Sequence, residues 1–209
     1  MKSRVSGLYA VTPDSADTPA LLAKVEAALA GGARLLQYRN KAASAALRLV
    51  QGRALLALCW EYQVPLIIND HLDLVLALDA DGLHLGSADG SLAAARRGLG
   101  DDKILGASCY RSLESAVEAQ QAGVDYVAFG GFFPSTIKPS TVRAPLGLLG
   151  EAKQRLSVPV VAIGGITLDN APQLVAAGAD GVAVISALFE DADIQHTARR
   201  FSALFPDRK

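Results

Sequence analysis

The chain has little of what marks a secreted, disulfide-stabilised or membrane-spanning protein. Its 209 residues include two cysteines, Cys59 and Cys109, whose spacing fits neither a metal site nor a redox motif. Both are expected to be small buried thiols in a reducing compartment. The first residues lack the apolar core of a signal peptide, and no run approaches the roughly 20 apolar residues that cross a bilayer. We therefore expect a cytoplasmic protein with no membrane partner.

An excess of charge of one sign is also missing. The chain has 20 Lys and Arg residues against 21 Asp and Glu residues, which leaves a formal net charge of −1. This balance gives no electrostatic reason to expect nucleic acid as a partner. The three histidines form no metal-binding pattern, and there is no recognisable Ser-His-Asp triad or nucleophile elbow. With 51% hydrophobic residues, the composition predicts one globular domain, residues 1–209.

What the chain does contain is a series of eight short apolar runs. They begin near residues 7, 34, 65, 82, 104, 125, 159 and 181, and helix-like stretches occur at 18–30, 45–62, 112–122 and 170–177. Short runs rich in Val, Ile and Leu are typical of strands that are covered on both faces, as in a parallel sheet. Eight such units favour a closed (β/α)8 TIM barrel of the α/β class over an open doubly wound sheet.

Most of these runs are followed at once by polar residues or glycines. In a parallel barrel the carboxyl ends of the strands share one face, and that face carries the chemistry. Arg39 and Lys41 would supply this face with cations suited to a polyanionic substrate. Asp70 and Asp89 could hold Mg²⁺ together with phosphate oxygens. The glycine pair at 164–165 follows the seventh run, where such barrels often bind a phosphate.

Several of these residues also have a simpler structural interpretation. Asp89 stands where an aspartate often caps a helix, and the glycine pair suits a tight turn with no ligand. His84 either faces the barrel interior near the site or is a core histidine with satisfied hydrogen bonds. Asp70 is harder to explain in this way, because an unpaired carboxylate at a buried strand end costs free energy. The proline-containing loop 134–148 is long enough to serve as a lid.

Several segments, taken together, resemble the thiamine phosphate synthase family over nearly the whole chain. They are Gln37-Tyr38-Arg39-Asn40-Lys41, Ile67-Ile68-Asn69-Asp70, Gly82-Leu83-His84-Leu85-Gly86, Phe132-Phe133-Pro134-Ser135, Lys138 and Ala162-Ile163-Gly164-Gly165-Ile166. The resemblance implies a barrel that joins 4-amino-2-methyl-5-hydroxymethylpyrimidine diphosphate to 4-methyl-5-(2-hydroxyethyl)thiazole phosphate and releases pyrophosphate. It also implies Mg²⁺ as the cofactor and small molecules as the partners, and it leaves the oligomeric state open.

The resemblance further assigns roles to individual residues. Those expected at the diphosphate are Arg39, Lys41, Asn69, Ser108 and Lys138, with Gln37 on the pyrimidine side. Those expected at the thiazole phosphate are Ser135, Gly165, Ile185 and Ser186. Asp70 and Asp89 match the magnesium ligands, and the residues expected to act in catalysis are Arg39, Lys41, Ser108 and Lys138. One departure is Ile137, where the family usually has a threonine.

Two other functions stay open on this reasoning. The thiazole tautomerase TenI has the same fold, but that family tends to lose the Gln-x-Arg-x-Lys signature and to carry a histidine shortly after the fifth strand. Here Gln37, Arg39 and Lys41 are all present and Ser108 is followed by cysteine, which favours the synthase. The second alternative is a non-catalytic barrel that binds a phosphorylated thiamine precursor and regulates a partner. Binding alone would not need the two aspartates expected at the metal.

Overall fold

The eight apolar runs form strands because aliphatic and β-branched side chains fit a sheet that is covered on both faces. The structure is a computed structural model that describes residues 5–134 and 143–206. Its strands are β1 (Gly7–Val11), β2 (Leu35–Tyr38), β3 (Leu66–Asn69), β4 (Gly82–Leu85), β5 (Ile104–Tyr110), β6 (Tyr126–Gly130), β7 (Val160–Ile163) and β8 (Gly181–Val184). Each predicted run begins within one residue of a strand in the structure.

Helices connect the strands. Those in the described ranges are α1 (Thr18–Ala30), α2 (Ala45–Glu61), α3 (Leu72–Leu78), α4 (Leu92–Leu99), α5 (Leu113–Gln121), α6 (Gly147–Arg155), α7 (Ala171–Ala176), α8 (Ser186–Phe189) and α9 (Ile194–Ser202). Capping side chains fix several starts: Asp17 accepts from the N–H of Ala20 at 3.0 Å, and Ser44 accepts from the N–H of Leu47 at 3.2 Å. The four predicted helices match α1, α2, α5 and α7 to within one residue at each end. No described helix is long and apolar enough to cross a membrane.

The sheet closes on itself in the order β1 to β8, and all of its neighbouring strands are parallel. On β1, Tyr9 is paired with Leu35 of β2 on one side and with Ala183 of β8 on the other. The predicted (β/α)8 TIM barrel is therefore confirmed. Because all the strands run in one direction, their carboxyl ends meet at a single rim.

Side chains along each strand alternate between two cores. Leu8 and Ala10 of β1 belong to the core between the sheet and the helices, whereas Tyr9 and Val11 belong to the core inside the barrel. This alternation follows from the two-residue period of a strand. It determines which residues can reach the rim from inside the barrel.

The two cysteines belong to the core between the sheet and the helices. Cys59 on α2 and Cys109 on β5 are free and buried. Burial raises the pKa of each thiol to about 12, so neither is a reactive thiolate at neutral pH. Their interpretation as small buried thiols is confirmed.

The interior accommodates a second tyrosine because a glycine stands beside it. Gly106 on β5 is paired with Tyr126 on β6, and a Cβ atom at Gly106 would overlap the Tyr126 ring. The rings of Tyr9 and Tyr126 meet edge to face with their centroids 5.9 Å apart. The missing side chain at Gly106 therefore lets the Tyr126 ring lie across β5.

Gly106→Ala should lower the free energy of unfolding by about 1–3 kcal/mol, the usual effect of forcing a methyl group into a packed core. Chemical denaturation followed by circular dichroism measures the change. Gly147→Ala is the matched control, because Gly147 is exposed and a Cβ atom there would meet nothing within 4 Å. It should be neutral or slightly stabilising. Wild-type stability in Gly106→Ala would contradict the packing described here.

Candidate active site

A chamber of about 330 Å³ opens at the rim formed by the carboxyl ends of the strands. Its walls include every predicted site residue that the structure describes: Gln37, Arg39, Lys41, Asn69, Asp70, Asp89, Ser108, Gly165, Ile185 and Ser186. The other two, Ser135 and Lys138, lie outside the described residues. Six strands thus bring ten predicted residues around one cavity.

The cations of the rim are held in place from the loop after β1. Thr12 clamps the backbone of Arg39, because its hydroxyl donates to the Arg39 carbonyl at 2.8 Å and accepts from the Arg39 N–H at 2.9 Å. Asp14 Oδ1 lies 3.3 Å from Arg39 Nη1 and accepts from the backbone N–H of Lys41 at 2.7 Å. The contact with Asp14 uses one of the five N–H donors of the guanidinium, which leaves the others for an anionic ligand.

Two carboxylates face each other across the ends of β3 and β4. Burial raises the pKa of Asp70 above its usual value, and both a hydrogen bond with Asp89 and the charge of Asp89 raise it further. Lys41, whose Nζ lies 3.5 Å from Asp70 Oδ2, opposes these effects without cancelling them. Two neighbouring carboxylates, one of which has a raised pKa because of the other's charge, are a natural place for a divalent cation.

Asp89 does not cap the following helix. The N-cap of α4 is Ser91, whose hydroxyl accepts from the N–H of Ala94 at 3.3 Å. Asp89 Oδ2 instead accepts from the N–H of Gly86 at 2.8 Å. The alternative interpretation of Asp89 as a helix cap is therefore wrong, and its carboxylate is turned back towards the end of β4.

The charged side chains that line the chamber are balanced in number. Two cations, Arg39 and Lys41, face two carboxylates, Asp70 and Asp89. The carboxylates would weaken the attraction of the cations for a polyanion unless a divalent cation entered with it. In residues 5–134 and 143–206 no group of three or more His, Cys, Asp or Glu side chains could hold a metal. A cation at Asp70 and Asp89 would therefore need oxygen atoms from a ligand or water.

A continuous chain of hydrogen bonds crosses the floor of the chamber. Gln37 Nε2 donates to the Tyr9 hydroxyl at 2.9 Å, and the Tyr9 and Tyr126 hydroxyls are 2.7 Å apart. The Tyr126 hydroxyl lies 2.8 Å from Nδ1 of His84, and Nε2 of His84 lies 2.8 Å from Ser108 Oγ. These five residues form the floor chain, which links β2, β1, β6, β4 and β5. Both of its ends, Gln37 and Ser108, line the chamber.

Burial determines the protonation of the floor chain. Tyr9 and Tyr126 are at most 1% exposed, and burial raises the pKa of both phenols well above its usual value. Burial lowers the pKa of His84 to about 4, although the charge of Asp89 acts in the opposite direction. The ring is therefore neutral at physiological pH. Both interpretations of His84 apply, since it faces the interior beside the site and also has hydrogen bonds at both nitrogens.

The glycine pair after β7 is required by a neighbouring loop. Gly164 and Gly165 have φ angles of +100° and +65°, and a Cβ atom at Gly165 would overlap the carbonyl oxygens of Phe133 and Pro134. The N–H of Phe133 donates to the Gly164 carbonyl at 3.1 Å. The chain after β6 therefore packs directly on this backbone, which only glycine permits. A phosphate contact at Gly165 stays a prediction.

Four residues that organise the site were not singled out in the sequence: Tyr9, Thr12, Asp14 and Tyr126. The two tyrosines lie in apolar runs and look like ordinary core aromatics. The available signal was their position, because a tyrosine inside a barrel needs a partner for its hydroxyl. Thr12 and Asp14 follow β1 in a polar loop, and nothing in the sequence distinguishes them from surface residues.

Comparisons with known proteins agree with one another. The family model described as thiamine monophosphate synthase matches residues 8–188. A thiamine-phosphate synthase from Nitrosomonas eutropha is 55% identical over 97% of this chain and 95% of its own length. One from Methylobacillus flagellatus is 56% identical over 96% of each chain. The solved structure of thiamine phosphate pyrophosphorylase from Pyrococcus furiosus has a TM-score of 0.83 and 35% identity, covering 95% of this chain and 94% of that one.

Asp70→Asn should raise the melting temperature by a few degrees at neutral pH in EDTA. The raised pKa of Asp70 means that the folded state binds a proton at this carboxyl more tightly than the unfolded state does. Its contribution to stability is therefore complete below the unfolded-state pKa and is lost as the pH rises through the folded-state pKa. Asparagine keeps the neutral form and tolerates the φ of +66° at this position.

Differential scanning calorimetry in EDTA measures this shift. The gain should shrink as the pH is lowered towards the ordinary pKa of aspartate. Asp101→Asn, at an exposed position beyond α4, should leave the melting temperature nearly unchanged. A lower melting temperature in Asp70→Asn would show that its ion pair with Lys41 outweighs the repulsion from Asp89.

Proposed function

The chain belongs to the thiamine monophosphate synthase family, and from that premise we propose that it joins 4-amino-2-methyl-5-hydroxymethylpyrimidine diphosphate to 4-methyl-5-(2-hydroxyethyl)thiazole phosphate. The products are thiamine phosphate and pyrophosphate, and the enzyme is a transferase. The observation that carries this conclusion is 55% identity over 97% of the chain to a thiamine-phosphate synthase. The name that the relatives share also favours the synthase over the tautomerase and the regulatory barrel.

The diphosphate is proposed to bind on the β2, β3 and β5 side of the rim. Arg39 offers a planar fork of donors and Lys41 a mobile point charge, which together suit two linked phosphate groups. Asn69 at the end of β3 and Ser108 near the end of β5 add an amide and a hydroxyl in the same chamber wall. Lys138 is assigned to this set by resemblance alone.

Mg²⁺ is proposed to be held by Asp70 and Asp89. The donor set fits, because the two carboxylates are close enough to raise the pKa of Asp70 and leave positions that phosphate oxygens and water would complete. The charge balance of the chamber fits too, since a divalent cation would give its two cations and two carboxylates a net positive charge. A bound magnesium ion would neutralise negative charge on the pyrophosphate as it departs.

The reaction breaks the bond between the pyrimidine methylene carbon and a diphosphate oxygen, and the bonding electrons leave with pyrophosphate. The electron-rich aminopyrimidine stabilises the methylene cation that remains. The thiazole nitrogen then donates its lone pair to form the new carbon–nitrogen bond. Gln37 holds the pyrimidine side, while Val161 and Ile163 provide apolar wall. Holding both substrates together favours coupling over capture of the cation by water.

The thiazole phosphate is proposed to bind across the ends of β7 and β8. These strands are neighbours, and Gly165, Ile185 and Ser186 all line the same chamber. Ser186 begins α8, so its hydroxyl and nearby backbone N–H groups suit a phosphate. Ser135 is added by resemblance, and it lies outside the described residues. Residues 135–142 of the loop 134–148, which the sequence predicts as a lid, also lie outside the described residues.

The cytoplasm is the proposed compartment. The thiols of Cys59 and Cys109 are free, which is the usual state of cysteines in a reducing environment.

Arg39→Gln should lower kcat/KM by about 10²–10³-fold, the usual loss when one preorganised donor to a developing anion is removed. The assay mixes purified protein with both substrates and Mg²⁺, then oxidises thiamine phosphate to fluorescent thiochrome. Arg53→Gln is the matched control, because Arg53 is exposed on α2 and should retain full activity. Failure of the wild type to form thiamine phosphate would overturn the proposed function. Full activity in Arg39→Gln would remove Arg39 from the diphosphate site.

A further inference from the structure

The floor chain has a direction that follows from counting its protons. Gln37 turns Nε2 towards Tyr9 and therefore donates. The single proton of Tyr9 must then go to Tyr126, and that of Tyr126 to Nδ1 of His84, because a buried hydroxyl without an acceptor costs free energy. A neutral imidazole has one N–H. Because Nδ1 of His84 accepts from Tyr126, this N–H lies at Nε2 and donates to Ser108.

Only one other arrangement satisfies every member of the chain. If Ser108 donated to His84, each hydrogen bond along the chain would reverse, and Tyr9 would need an acceptor at Gln37. The Gln37 amide would then have to turn its oxygen inward. The amide at one end and the hydroxyl at the other are therefore coupled through three buried side chains, and neither can reverse alone.

We propose that the floor chain sets the hydrogen-bonding polarity of the pyrimidine diphosphate site, and that Tyr9, Tyr126 and His84 are positioning residues for the reaction. With Nε2 turned inward, Gln37 presents its carbonyl oxygen to the chamber, where it accepts from the exocyclic amino group of the pyrimidine. With its oxygen accepting from His84, Ser108 directs its own proton to a diphosphate oxygen. This inference rests on the proposed function, because it requires a substrate with a donor at one end and an anion at the other.

The polarity matters most while pyrophosphate is leaving. Negative charge on the departing group grows as the carbon–oxygen bond breaks, so a donor aimed in advance stabilises the transition state more than the ground state. A Ser108 hydroxyl that donated to His84 would instead present lone pairs to that charge. The floor chain should therefore influence kcat more than the KM for the pyrimidine diphosphate.

The tautomer of His84 reports the polarity directly and needs no substrate. The chain has three histidines, so long-range ¹H–¹⁵N spectra of ¹⁵N-histidine-labelled protein contain three imidazole systems. The spectrum of His84→Asn assigns the signal of His84. In the wild type we expect Nδ1 without a proton and Nε2 with one. Any other protonation state of His84 overturns the inference.

Gln37→Glu tests whether the polarity is transmitted along the floor chain. At alkaline pH, where the introduced carboxyl is ionised, it can only accept from Tyr9, so every bond should reverse and the His84 proton should move to Nδ1. Adding Tyr126→Phe interrupts the chain, so the double variant should show the same His84 tautomer as Tyr126→Phe alone. A folded Gln37→Glu protein that retains the wild-type tautomer would overturn the coupling.

Kinetics separate positioning from stability. Tyr126→Phe should lower kcat about tenfold, the equivalent of one hydrogen bond to a charged group, and change KM by less than about twofold. Tyr38→Phe is the matched control, because Tyr38 is also buried and its hydroxyl donates to Gln51 at 2.7 Å outside the floor chain. It should lose similar stability yet keep kcat and the His84 tautomer. An equal fall of kcat in both variants would reduce Tyr126 to a structural role.

The two proposals fail separately. A wild-type protein with the expected tautomer and no thiamine phosphate production would overturn the proposed function and leave the polarity intact. A protein that makes thiamine phosphate while His84 holds its proton on Nδ1 would overturn only the inference about the floor chain.

Discussion

Polar atoms inside the barrel need partners, because a buried hydrogen-bonding group left without one costs about 1–3 kcal/mol. This barrel encloses two tyrosine hydroxyls and an imidazole, and the floor chain satisfies all three. Gly106 allows it by leaving space for Tyr126. Gln37 and Ser108, where the chain reaches the chamber, are consequently held in place before any ligand binds. Such preorganisation is what electrostatic catalysis requires of a site.

The rim above the floor chain is organised by charge. Arg39 is fixed by a carboxylate and a backbone clamp, whereas Asp89 lies close enough to Asp70 to raise the pKa of that carboxyl. The repulsion between them costs stability in the free protein, as is common where a site awaits a ligand of opposite charge. The floor chain fixes the orientation of Gln37 and Ser108, and the rim places two cations and two carboxylates around one chamber.

Much of the fold could be predicted because its signals are local. Short apolar runs identify strands, and parallel strands share one rim, so residues as distant as Gln37 and Ser186 were expected to meet. The floor chain could not be predicted in this way. Which interior side chains touch across a barrel depends on the register of several strands at once, so Tyr9 and Tyr126 looked like core residues. Asp89 was open to two interpretations because its position in the sequence suits a helix cap. Only the folded barrel shows that its carboxylate meets Asp70, just after β3, and the N–H of Gly86 in its own loop.

If the proposed function is right, this rim binds a diphosphate and a divalent cation as one unit. Calorimetric titration of inorganic pyrophosphate into the protein, in Mg²⁺ and then in EDTA, measures that coupling. Pyrophosphate should bind much more tightly in Mg²⁺, because Asp70 and Asp89 repel it when no cation lies between them. Equal affinity in the two solutions, or no binding in either, would show that the rim does not couple the two ligands.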